Sequence, residues 1–209
     1  MYPLIKSQIE HTVLEEEEER EKEDGTPWPD PLAGKMLKTR TILLSGEIKK
    51  ELAEKTIRQL LLLEAMGDEP VRIFIDSPGG DADAGYAIFD IIRFIKPPVW
   101  TIGMGLVASA AAIIQLAAPR ERRVGLPNSH YLIHQPLSGI RGVASDIEIH
   151  ARELDKLREK INRLISDETG VAAGQVEKDT DRDFWMNAVE AVAYGLLSRV
   201  ITRRDELGG

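Results

Sequence analysis

Apolar residues along this chain fall into two alternating kinds of block. Thr41 to Ser45, Val71 to Ile75 and Val99 to Gly103 are short apolar, β-branched runs that predict strands. Between them, Leu52, Ile57, Leu60 and Leu61 recur at helical spacing, predicting a helix from about Lys49 to Met66 that Gly67 ends. A second helix is predicted from Ala82 to Ile95, closed by Lys96-Pro97-Pro98. A third opens at Ser109, straight after the third strand, and runs to Ala118-Pro119. Strand and helix in alternation predict an α/β fold with a mainly parallel sheet, whose ligands sit at the carboxyl ends of the strands.

Beyond Pro119 the pattern changes. Arg122 to Leu126 and Ser129 to His134 read as two further strands joined at Pro127-Asn128. One long helix follows, about Ser145 to Glu168, with Ile147, Leu154, Leu157, Ile161, Leu164 and Ile165 as its stripe. It is longer than one small sheet needs for cover, which predicts that part of the stripe packs on another subunit. Gln175 to Asp183 reads as an acidic helix, and Ala188 to Thr202 as a short helix closed by Gly195 and a last strand. Residues 1–36 carry no such periodicity. Their Glu15 to Asp24 acidic run and their Gly25 to Pro31 turn formers predict a flexible arm, in which Leu4, Ile5, Ile9, Val13 and Leu14 are available for docking. Residues 37–209 are expected to form one domain.

Composition narrows the function classes. The 209 residues are 43% hydrophobic with a net charge of -8, so no basic surface is offered to nucleic acid or an anionic membrane. Cysteine is absent, which removes disulfides and thiolate metal sites. No stretch approaches a membrane span and the first residues lack the apolar core of a signal peptide, so a soluble, cytoplasmic protein is expected. Gly103-x-Gly105-x-x-Ala108 matches a loose dinucleotide fingerprint, but no acid ends the next strand, and no P-loop occurs anywhere. Neither a cofactor nor a metal is expected in this chain.

Ser109 is the first candidate for chemistry. At a strand-to-helix corner its side chain can cap the helix. The same corner sets a hydroxyl beside orphan N–H donors, which suits a nucleophile with an oxyanion hole. Four histidines are available as a base. His11 lies in the arm and His150 on the polar side of the long helix, both read as solvated. His130 and His134 share a strand face, and His134 ends its strand at the mouth of the sheet, where an imidazole can take the serine proton. The orienting carboxylate has three candidates, Asp179, Asp181 and Asp183. Asp183 precedes Phe184-Trp185 and is expected to be the most buried of the three. Together Ser109, His134 and Asp183 have the chain order Ser, His, Asp.

At these residues the chain resembles the ClpP family, the proteolytic subunits of ATP-dependent Clp proteases. The resemblance covers about Leu37 to Thr202. It is carried by Ser77-Pro78-Gly79-Gly80, Gly103-Met104-Gly105 through Ser109, Leu126-Pro127-Asn128-Ser129, Ile133-His134-Gln135-Pro136, Asp146 through Glu153, and Asp179-Thr180 through Asp183. It implies a crotonase-like fold of repeated ββα units with the long helix protruding as a handle. It implies Ser109 as nucleophile, His134 as base, Asp183 as its orienter, and the Gly80 and Ala110 amides as oxyanion hole. Asp181 and Arg182 match positions that couple ring contacts to the triad. The implied assembly is two stacked heptameric rings, fed with unfolded polypeptide by an AAA+ unfoldase such as ClpX, ClpA or ClpC, which uses the ATP. Three departures stand out: Asp76 in place of the usual Asn, Val107 and Ala110-Ala111 around the serine, and the acidic insertion in residues 10–36. A non-catalytic ring subunit and a crotonase-type acyl-CoA enzyme are the competing classes.

Overall fold

The computed structural model describes residues 31–207. The acidic run and the apolar residues of the N-terminal arm lie outside them. The described residues fall into two compact units that divide after Lys38. The first holds helix α1 (Pro31–Lys38), which begins at the last of the predicted turn formers and where the sequence predicts no element. Pro31 is tolerated as the first helical residue because the N–H it lacks has no intrahelical partner there.

In the second unit the predicted alternation is present. Strand β1 (Thr41–Ser45), helix α2 (Lys50–Met66), strand β2 (Val71–Ser77), helix α3 (Ala82–Phe94), strand β3 (Val99–Ala108) and helix α4 (Ala110–Gln115) come first. They are followed by β4 (Arg123–Gly125), β5 (His130–Ile133), the long helix α5 (Ala144–Thr169), α6 (Ala173–Thr180), β6 (Phe184–Asn187), α7 (Ala188–Tyr194) and β7 (Arg199–Val200). The sheet runs β1-β2-β3-β4-β7, all parallel. Ile42, Leu44, Ile73, Ile75 and Ile102 form its buried core. Among the described residues no helix is long and apolar enough to cross a membrane.

Strand β3 changes partners along its length. Thr101 to Gly103 pair with β4, whereas Leu106 to Ala108 pair with β5. The break is visible against β2, where Ile75 pairs with Gly103 but Ser77 with Val107, so β3 carries extra residues that bend it off the main sheet. Gly105 absorbs the bend at φ 53°. The Asp76 carboxylate fills the space there and accepts the Leu106 N–H at 3.0 Å. This places the unusual acid in the hinge of the strand, as a hydrogen-bond acceptor for a backbone group the bend leaves unpaired. The bent half of β3 and the strands β5 and β6 form a branch of the sheet off its main path, and that branch carries the site.

Two predicted elements differ from the structure. The acidic helix ends at Thr180, not Asp183, and Phe184–Asn187 form a strand, β6, antiparallel to β5. Strand β3 continues through its glycines to Ala108, beyond the predicted end at Gly103, and the helix after Ser109 stops at Gln115, short of the predicted Ala118-Pro119.

The root of α5 is fixed to the body by charge. Arg123 is 1% exposed. Its guanidinium donates to the carbonyls of Ala118 and Glu168 and pairs with the Glu168 carboxylate, which Arg93 also reaches. Burial pulls the Arg123 pKa down, and the Glu168 charge beside it opposes that shift. Of the predicted stripe, Ile161 and Ile165 near this root are buried, while Ile147 at the far end is exposed. At 1.5 Å per residue the 26-residue helix is about 39 Å long.

Candidate active site

The corner between β3 and α4 is held open for Ser109 by the turn after β2. Ser77 Oγ accepts the Gly79 N–H at 3.1 Å, curling the chain back toward the elbow. Gly79 then approaches so closely that a Cβ on it would lie 2.6 Å from the Ala108 carbonyl oxygen and 2.7 Å from Ser109 Cβ. Ser109 itself adopts φ 56° and ψ -121°, outside the ordinary regions for a residue with a side chain. The bond from its N–H to the Leu132 carbonyl, at 2.9 Å, pins this conformation onto β5. The predicted cap is therefore absent: Ser109 Oγ makes no capping bond to α4, because the positive φ turns it away from the helix axis.

That hydroxyl faces His134. Ser109 Oγ lies 2.9 Å from His134 Nε2, and His134 Nδ1 lies 3.0 Å from Asp183 Oδ1. The pairing of β5 with β6 explains the second distance. Antiparallel pairs run from His130↔Asn187 to Ile133↔Phe184, so continuing the register by one step sets His134 opposite Asp183. His134 is the more enclosed of the two, its side chain 16% exposed against 61% for Asp183. The expectation that Asp183 is the most buried of the three acids is thus overturned: Asp183 is exposed and Asp179 half-buried, for Phe184 packs on Tyr194 and Trp185 on the alternate face is 55% exposed.

The remaining candidates are distributed as follows. Gly80 forms a parallel bridge to Ile48, in which the Ile48 N–H bonds the Gly79 carbonyl and the Asp81 N–H bonds the Ile48 carbonyl. Those bonds belong to the residues flanking Gly80, so its own N–H points to the other side, toward the cleft. Ala110 is the first residue of α4, and its N–H is among the donors a helix start leaves without an intrahelical acceptor. Asp181 and Arg182 lie outside the relay, both exposed, 3.9 Å apart between Oδ2 and Nε. Asp179 is occupied elsewhere: its carboxylate accepts from Tyr194 Oη and Gln175 Nε2. His150 is not purely solvated as predicted, since it bonds Ser138 Oγ at 2.7 Å and lines the same cleft as Ser109.

The cleft encloses about 830 Å3, with Ser109, His134 and Gly80 on one wall and Leu154, Leu157 and Ile161 of α5 on the other. A hydroxyl, an imidazole and a carboxylate in line, beside an apolar groove, can perform acyl transfer through a covalent intermediate. Sequence reasoning missed two contributors: Gly79, whose close approach shapes the elbow, and Gln135, which bonds the segment carrying Asp183. Among the described residues no group of three or more His, Cys, Asp or Glu side chains is placed to hold a metal.

Comparison with known proteins agrees with this architecture. The family model for Clp protease matches residues 26–204. The ATP-dependent Clp protease proteolytic subunit 2 of Treponema denticola is 63% identical over 192 residues, spanning 91% of this chain and 96% of the relative. Proteolytic subunit 3 of Rhizobium meliloti is 47% identical over 192 residues, covering 92% and 98%. Among solved structures, a ClpP1 mutant from Listeria monocytogenes superposes with a TM-score of 0.79 at 49% identity, over 85% of this chain and 99% of that one. Fold, sequence and the ClpP likeness thus agree, and the chain belongs to the Clp protease family, a family of serine peptidases.

Proposed function

We propose that the chain is a serine endopeptidase that cleaves unfolded polypeptides. The observation that carries this reading is the hydrogen-bonded line from Ser109 through His134 to Asp183. His134 Nε2 takes the proton as Ser109 Oγ attacks the peptide carbonyl, and Asp183 holds Nδ1–H and offsets the imidazolium charge. The N–H groups of Gly80 and Ala110 receive the developing oxyanion. His134 then gives its proton to the leaving amine, and water hydrolyses the acyl ester on Ser109 with His134 again as base. No cofactor enters any of these steps.

Clp family proteases form oligomeric rings and work with Clp ATPases. For this chain we take the assembly to be two stacked heptameric rings around a chamber, served by an AAA+ unfoldase such as ClpX, ClpA or ClpC that hydrolyses the ATP. The exposed outer half of α5 supports ring-to-ring contact, with Asp181 and Arg182 near the triad as the coupling residues. The test is fluorophosphonate labelling of the purified protein with native mass spectrometry. Ser109→Ala abolishes both labelling and peptide cleavage while the assembly mass is unchanged; cleavage that survives the substitution rules the mechanism out.

A further inference from the structure

The ladder between β5 and β6 ends at Ile133↔Phe184, one position short of the His134 and Asp183 pair. That pair therefore sits on the first unpaired rung, where two diverging strands ordinarily fray. Asp183 gains little from its surroundings, since its side chain is 61% exposed. Nevertheless the carboxylate stands 3.0 Å from the imidazole. Something must hold the two strands together beyond the ladder.

Gln135 supplies that hold from the next residue along. Its backbone N–H donates to the Thr180 carbonyl at 2.6 Å, and its side-chain Nε2 donates to the Asp181 carbonyl at 2.7 Å. The amide is oriented by chemistry: its carbonyl oxygen in that place would face another carbonyl oxygen, so only the NH2 group fits. Pro136 restricts Gln135 to an extended conformation, which keeps its N–H directed sideways at the opposing segment. Across the gap, Thr180 is buried and its hydroxyl bonds the side chain of Asn162 on α5, at 2.8 Å. The two carbonyls that Gln135 grips thus belong to the end of a helix anchored in the body. Between that anchor and the first β6 pair lie only Asp181, Arg182 and Asp183.

We infer that Gln135 is a positioning residue for the serine-peptidase chemistry: a staple that closes the frayed end of the β5–β6 ladder and keeps Asp183 against His134. This rests on the proposed mechanism. Gln135 acts on the reaction only through Asp183 and has no atom in the relay.

The test compares wild type with Gln135→Ala and Gln135→Glu, each checked for assembly by native mass spectrometry and assayed for kcat and KM of peptide cleavage. Gln135→Glu preserves the packing and the backbone bond but removes the side-chain donor. Both variants assemble, lower kcat by roughly 10- to 100-fold and leave KM within about twofold, because positioning is lost and the binding cleft is not. Wild-type kcat in an assembled variant overturns the proposal. Failure of both variants to assemble also overturns it, making the role a structural one. Ser109→Ala in the same assay separates the two readings, because cleavage persisting there defeats the serine mechanism, whereas a silent Ser109→Ala beside a fully active Gln135→Glu defeats only the staple.

Discussion

A methyl group at Gly79 would stand 2.6 Å from the Ala108 carbonyl oxygen and 2.7 Å from Ser109 Cβ, on a backbone at φ 90°. Neither neighbour can yield, because the Ser109 elbow is held to β5 by its own N–H bond to Leu132. Gly79→Ala therefore displaces the nucleophile or the oxyanion turn, and kcat/KM falls by at least about 100-fold in a peptide assay. Ser109 and His134 were legible as candidates in the sequence, because Ser109 joins a glycine-bearing strand to a helix and His134 ends a strand just ahead of Gln135-Pro136. Asp183 was singled out from three acids by its aromatic neighbours, a burial argument that the structure does not support, and by the chain order shared with a family. Its partner position across from His134 depends on β6, four residues with Trp185 turned to solvent, which gives no alternation to read. The failed cap at Ser109 has a similar origin: its positive φ is imposed by the Gly79 approach and the Leu132 bond, both long-range in sequence.

Among the elements, α5 shows most clearly how a local pattern and a distant charge divide the work. Its length and stripe were legible from periodicity, and the structure runs from Ala144 to Thr169 where Ser145 to Glu168 was expected. What holds its root was not legible, since the Arg123 and Glu168 pairing joins positions 45 residues apart. Replacing Glu168 leaves a nearly buried guanidinium with only two carbonyls for company. Glu168→Ala accordingly destabilises the fold by about 3 kcal/mol, measured as a lowered midpoint in denaturant unfolding. The same loss loosens the wall of the cleft, because Leu154, Leu157 and Ile161 ride on this helix.

For the whole molecule, one group of uncovered apolar side chains lies around the outer end of α5 and the segment before it. Leu137, Val143, Ile147 and Ile149 are all exposed. A run of this kind is unfavourable in water and marks a contact with another copy in the proposed double ring. Ile149→Glu sets a charge in that contact, and the expected outcome is particles of half the wild-type mass by native mass spectrometry. Single rings in the wild type would remove the basis for this assignment of the surface.

The bend in β3 also bears on the order in which the chain folds. Before the bend, β3 joins β2 and β4, neighbours brought together by closing modest loops. After it, the strand needs β5, and β5 in turn needs β6, which arrives only once α5 and α6 have been traversed. The Ser109 to His134 bond closes 25 residues and the His134 to Asp183 bond a further 49. Long closures cost the most entropy and complete late. A nascent copy of the proposed peptidase therefore can bring β1 to β4 together before it can cut, because its relay stays open until β6 has been made.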